Sequence, residues 1–168
     1  MKTKEQDFLL LINQHKGILH KVSRMYMDNE EDRNDLIQEI VLQLWKSYEK
    51  FEGKSQFSTW MYRVSLNIAL TYFKKEKKNT ERHTLLDNFD KIEEDYSNEK
   101  EQQLTLFYQA VHELNKVEKA LIFLFLEGLS HREIAQNLGI SEVNARVKLN
   151  RTKEKLQNLI KSYGYEFG

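Results

Sequence analysis

From Phe8 to Tyr26 apolar positions recur every three or four residues: Phe8, Leu11, Ile12, Ile18, Leu19, Val22, Met25 and Tyr26, with His15 on the same stripe. That period predicts one amphipathic helix with a single face on a core. Asp28-Asn29 ends it. Leu36, Ile37, Ile40, Val41, Leu44, Trp45 and Tyr48 predict a second helix, stopping near Glu52-Gly53. Ser55 or Ser58 can cap a third, with Phe57, Trp60, Met61, Val64, Ile68 and Tyr72 on one face. Three such stripes make one helical bundle over residues 4–78.

Between residues 79 and 102 the periodicity fails and charged residues dominate, which reads as a linker. Leu104, Phe107, Val111 and Leu114 then mark a fourth helix, opening a second domain over residues 103–163. Asn115 can cap a fifth, which runs through the apolar stretch Ala120 to Leu126 and closes at Gly128. Ser130-His131-Arg132-Glu133 has the spacing of a capping box, in which serine and glutamate each satisfy the other's backbone N–H. The short helix it opens carries Ile134, Ala135 and Leu138 and ends at Gly139, a natural left-handed position. Ile140 is expected to bury, Ser141 caps again, and a long final helix follows. Two helices joined by about three residues around a glycine form a helix-turn-helix. The small Ala135 lets them approach closely. The predicted fold is all-α, two small helical domains joined by a charged linker, the second containing the helix-turn-helix.

Composition supports this class. The chain of 168 residues has no proline and 6 glycines, which favours long helices over hairpins. With no cysteine, disulfides and thiolate metal sites are excluded. No apolar run reaches the ~20 residues that span a bilayer. The N-terminal run Phe8 to Ile12 is too short for a signal peptide, so a cytoplasmic protein without membrane insertion is expected. Net charge is zero, but its distribution is not even. Residues 74–78 and 146–161 are basic and residues 87–101 strongly acidic, which suggests two basic surfaces with an acidic connector.

On the last helix Ala145, Leu149, Thr152, Leu156 and Leu159 share a stripe that should pack inward. Glu142, Val143, Asn144, Arg146, Val147, Asn150, Arg151 and Lys153 then face out. A recognition helix offers its N-terminal residues to base edges and its cations to phosphates. Asn144 has the donor and acceptor for adenine, Arg146 can fork onto guanine, and valines can meet thymine methyls. The plain alternative is a solvated basic face. On the third helix Arg63, Asn67, Thr71, Lys74 and Lys78 step along one face, with Phe57, Trp60, Tyr62, Tyr72 and Phe73 nearby. Cations beside aromatic rings suit single-stranded nucleic acid. Trp60 and Tyr72 also lie on the apolar stripe and read more readily as core than as stacking platform. On the second helix Asp35, Gln38, Glu39 and Leu42 form a face apart from the stripe, either solvated surface or a docking patch for a basic partner.

Catalytic readings fail. His15 and His20 do not share a helical face as a metal pair requires, and the remaining histidines have no neighbouring ligand set. No phosphate-binding glycine loop or serine nucleophile elbow is present. No cofactor is expected, and the chain does not read as an enzyme.

Three segments then resemble one family. Arg33 to Trp45 is similar to the "D-L-x-Q-E-x-F-x-x-x-W" helix of bacterial sigma factors. Phe57-Ser58-Thr59-Trp60-Met61-Tyr62-Arg63-Val64, with Asn67 and Lys74-Lys75, resembles their promoter-melting segment. Gly128 to Arg151 resembles their "G-x-S-x-x-E-I-A-x-x-L-G-I-S" helix-turn-helix. Two domains without further extensions match the small extracytoplasmic-function type. The resemblance implies that Asp35, Gln38, Glu39 and Leu42 bind the β′ clamp helices of core RNA polymerase. It implies that Phe57, Trp60, Arg63, Asn67, Lys74, Lys75 and Lys78, with the loop from Phe51 to Phe57, capture unpaired bases of the minus-ten element. Ser141, Glu142, Val143, Asn144, Arg146, Val147, Lys148, Asn150, Arg151 and Lys153 would read the minus-thirty-five element of promoter DNA. The linker would thread toward the RNA exit path, and an anti-sigma factor would be a regulatory partner. Thr71 stands where many relatives carry aspartate, and Val143-Asn144-Ala145-Arg146-Val147-Lys148 replaces the commoner "G-T-V-K-S-R". Both leave the promoter sequence open. The competing reading is a free-standing helix-turn-helix regulator with a sensing or dimerising N-terminal bundle. A helical adaptor without DNA binding leaves both basic faces unexplained.

Overall fold

A computed structural model of the chain describes residues 3–51, 53, 56–72 and 98–164. Among these residues there are helices and turns and no strand. The chain divides into two compact units, Met1–Glu93 and Glu94–Gly168.

The N-terminal unit contains α1 (Lys4–Gln14), α2 (Lys16–Tyr26), α3 (Glu30–Ser47), a 3-10 turn (Tyr48–Lys50) and α4 (Phe57–Thr71). Helices α2, α3 and α4 pack pairwise. Leu19, Val22, Met25, Leu36, Ile40, Leu44, Met61 and Leu66 form their common core. Each such burial stabilises the bundle by about 1.5–3 kcal/mol. The single first helix predicted from the stripe is in fact two. His15 interrupts it with φ −119 and ψ 18, and its ring Nδ1 donates to the Leu11 carbonyl at 2.9 Å. The apolar period survives the break, so the pattern hid it. Thr3 and Gln6 cap α1 reciprocally, and Asn29 caps α3. Arg33 spans the α2–α3 turn by donating to the carbonyls of Met27 (3.1 Å) and Asp28 (3.0 Å).

Helix α4 departs from expectation in three ways. Its N-cap is Gln56 with no side-chain bond, so Ser58 lies inside the helix and does not cap it, and Ser55 lies outside the described residues. Its buried face is Phe57, Met61, Ser65, Leu66 and Ala69, leaving Val64 and Ile68 half-buried. The presence of Ser65 in the core disguised this rotation of the stripe. The helix ends at Thr71, with Tyr72 extended, and does not run on in the described residues as predicted.

The C-terminal unit contains α5 (Asn98–His112), α6 (Lys116–Leu126), α7 (His131–Leu138) and α8 (Glu142–Ser162). Helix α8 packs on the other three. The region read as linker up to residue 102 is already helical from Asn98. Ala110, Val111, Leu121, Ile122, Phe123, Leu124, Ile134, Ala145, Leu149, Leu156 and Ile160 are the core. Ile160 buries where Leu159 was expected, and Leu159 is half-buried. Asn115 caps α6 as its sequence position suggests, and Glu118 completes a reciprocal box. Gly128 follows the end of α6 with φ +87.

Candidate polymerase and nucleic-acid interfaces

The helix-turn-helix is built from two caps and one glycine. Ser130 Oγ accepts the Glu133 N–H at 3.2 Å, and Glu133 Oε1 accepts the Ser130 N–H at 3.0 Å. These backbone and hydroxyl bonds hold the Glu133 carboxyl below its ordinary range. Gly139 adopts φ +68 and ψ 33, the left-handed region that a side chain disfavours. Ile140 then donates its N–H to the Ala135 carbonyl at 3.1 Å. Ile140 is half-buried, less than its sequence position suggested. Ser141 Oγ accepts the Asn144 N–H at 3.1 Å and starts α8. Ala135 is buried where α7 meets α8, so no larger side chain separates them.

With Ala145, Leu149 and Thr152 inward, α8 exposes Glu142, Val143, Asn144, Arg146, Val147, Lys148, Asn150 and Arg151. Val143 is 57% and Val147 36% exposed, one turn apart on the same face. Ser141 is exposed, but its hydroxyl is engaged in the cap. Lys153 differs from the rest of the set. It is half-buried, and its Nζ sits 3.6 Å from the ring centroid of Phe125 on α6. It joins α8 to α6 by a cation–π contact, unlike the exposed cations of the set. Sequence periodicity missed this because Lys153 flanks the buried stripe. Lys155 likewise turns to Glu118, at 3.1 Å. Beside Lys148 and Arg151 lies a cleft of about 590 Å³ floored by Val117, Leu121 and Thr152.

On α4, Arg63, Asn67 and Thr71 are exposed together, and Thr71 Oγ1 donates to the Asn67 carbonyl at 2.8 Å. Lys74, Lys75 and Lys78 lie outside the described residues, as does Phe73. Phe57 is buried and Trp60 half-buried. Both belong to a ring cluster that continues through Phe51, Tyr48, Trp45 and Phe8. Trp60 is therefore both core and edge: Phe51 stacks on it at 5.0 Å, and part of it reaches solvent.

The face expected on α3 is corrected. Leu42 is 4% and Gln38 6% exposed, so neither is presented outward. Helix α3 lies between its neighbours, and burial reaches around most of its circumference. Gln38 Oε1 is buried without a hydrogen-bond partner among the described residues. Asp35 and Glu39 remain half-exposed one turn apart, and Gln43 Nε2 donates to Glu39 Oε1 at 3.3 Å. The remaining polar row of α3 is thus Asp35, Glu39 and Gln43, all half-buried, with one carboxylate oxygen of Asp35 and one of Glu39 buried.

Residues 11–79 match sigma-70 region 2, and residues 104–156 match sigma-70 region 4. The chain belongs to the sigma-70 family, as an extracytoplasmic-function sigma factor. The extracytoplasmic-function sigma factor SigX of Bacillus subtilis is 26% identical over 157 residues, spanning 88% of this chain and 80% of its own. The extracytoplasmic-function sigma-E factor of Haemophilus influenzae is 27% identical over 171 residues, spanning 93% and 88%. In fold the chain is similar to the sigma factor RpoE of Bartonella quintana, solved with the anti-sigma factor NepR. The TM-score is 0.66 at 18% identity, over 93% of this chain and 95% of that one. As a sigma factor the chain directs transcription initiation, and the N-terminal bundle is region 2 and not the sensing module of a free-standing regulator. Among the described residues no helix is long and apolar enough to cross a membrane.

Proposed function

We propose that this sigma factor divides promoter recognition between three faces: α3 for polymerase, α4 with its preceding loop for unpaired bases, and the N-terminal half of α8 for duplex DNA. Asp35 and Glu39 would meet the β′ clamp helices. Arg63 and Asn67, with Lys74, Lys75 and Lys78 beyond the helix end, would hold the melted minus-ten strand. Glu142, Val143, Asn144, Arg146, Val147, Lys148, Asn150 and Arg151 would read the minus-thirty-five element. What carries the reading is the outward set on α8: an amide, an arginine and two exposed valines on a capped helix behind a glycine turn. These are the groups that base edges and thymine methyls require. The connector between the units would follow the polymerase toward its RNA exit path, and the protein would work in the cytoplasm.

An anti-sigma factor is proposed as a regulatory partner, since the similar fold of RpoE was solved with the anti-sigma factor NepR, and that of CnrH with the cytosolic domain of CnrY. Polymerase docking is tested by retention of core RNA polymerase on the immobilised chain. Asp35→Lys with Glu39→Lys should abolish retention while the helical content stays unchanged. Retention at normal affinity by the double variant would move the docking site elsewhere.

A further inference from the structure

The loop between the 3-10 turn and α4 is pinned at both ends by rings. Phe51, the first residue after the turn, stacks on Trp60 at 5.0 Å and meets Phe57 edge-on at 5.6 Å. Phe57 is the first residue of α4 and is buried. On its bundle side stands His15, with ring centroids 5.5 Å apart. His15 lies between α1 and α2, and it serves both. Its backbone N–H donates to the Ile12 carbonyl at 3.1 Å, and its own carbonyl accepts the Ile18 N–H at 3.0 Å. The ring is oriented by Nδ1, which donates to the Leu11 carbonyl at 2.9 Å and so must carry the proton. One residue therefore joins the end of α1 to the start of α2 through its backbone, while its ring meets the end of α1 and the start of α4.

We infer that His15 is a positioning residue for base capture: its oriented ring backs Phe57 and sets the stance of the Phe51–Phe57–Trp60 base on which the loop stands. The inference rests on assigning base capture to that loop. It follows from how little freedom the base has. Gly53, between those ends, has φ +72, a conformation that disfavours a side chain although the space around it is open. The loop's ends cannot move without disturbing the rings, and the histidine ring ties Phe57 to the α1–α2 junction, beside the route from Trp60 through Tyr48 to Phe8. Small errors in placing a group that holds a reacting partner cost large factors in rate. His15 belongs to no face assigned to polymerase or DNA, and the motifs of the sequence do not include it.

The test uses full-length chain assembled with core polymerase on a promoter carrying a fluorescent base in the melted segment. His15→Gln keeps a donor for Leu11 and loses the ring packing, whereas His15→Phe keeps the ring and loses the donor. His15→Leu, which keeps apolar volume without a ring, covers the case in which the glutamine fails to fold. Glutamine and leucine should slow opening by about tenfold, with upstream duplex binding unchanged, and phenylalanine should restore most of the rate. Wild-type opening by glutamine and leucine, equal losses in all three variants, or equal loss of opening and upstream binding would each overturn the inference. Replacing residues 52–56 with glycine and serine separates the two levels. If that replacement abolishes opening while His15→Gln does not, the loop assignment stands and the role of His15 falls. If the replacement opens normally, the loop assignment itself is wrong, and the inference with it.

Discussion

Lys153 and Arg151 lie two residues apart on α8, and the structure gives them different surroundings. Arg151 is exposed, whereas Lys153 is seated on the Phe125 ring at 3.6 Å. Neutralising Arg151 should lower the salt slope of DNA binding by about one unit, as each lost phosphate contact does. Lys153→Met should leave that slope unchanged and lower the melting temperature, measured on the isolated holoenzyme-free chain; a reduced slope would return Lys153 to the phosphate set. Asn144→Ala or Arg146→Ala should relax base preference at one position, by about 1–3 kcal/mol for a well-formed pair. Competition binding with single-base promoter variants measures it, and a uniform loss over all sequences would count against direct readout. Glu133 supplies a pH prediction. Its folded pKa is depressed by the Ser130 bonds, so its contribution is present above the ordinary carboxylate range and is lost as pH falls through the lowered value. Stability of Glu133→Gln relative to the parent should therefore rise on acidification; a pH-independent difference would contradict it.

Helix α3 shows where residue type and burial part company. Leu42 looked like a leucine stranded on an acidic face, yet it is 4% exposed. Leu42→Ala should thus cost about 2–5 kcal/mol in denaturant unfolding, as core truncations do, and not simply weaken polymerase binding. A stable Leu42→Ala chain with lost polymerase binding would restore it to the docking face. The error has a physical source: a helical stripe assumes one buried face, and α3 is packed on several sides. The break at His15 was hidden for a related reason, since an apolar period continues across it while the backbone turns. By contrast, the Ser130–Glu133 box, Gly139 and the Ser141 cap were legible, because each is a local bond or dihedral fixed by residue type at a set spacing. Long-range contacts such as Lys153 to Phe125 leave no such trace in a single sequence.

At the scale of the molecule, the proposed division gives the two units opposite tasks on the same nucleic acid. Cations on α8 surround an amide and valines suited to a paired groove. Arg63 and Asn67 on α4 stand beside half-buried rings suited to unpaired bases. A chain of zero net charge can do both because its basic residues are segregated from the acidic stretch over residues 87–101. Opening a duplex costs a few kcal/mol per unstacked base, so the protein must hold what it extrudes. The central claim is that opening and duplex reading are separable by surface. Permanganate reactivity of promoter thymines, scored with upstream footprinting on the same holoenzyme, measures it most directly. Arg63→Ala with Asn67→Ala should abolish thymine reactivity and leave the upstream footprint in place, whereas Asn144→Ala with Arg146→Ala should first erase the footprint. Normal reactivity in the Arg63 and Asn67 variant, with the footprint retained, would contradict the division.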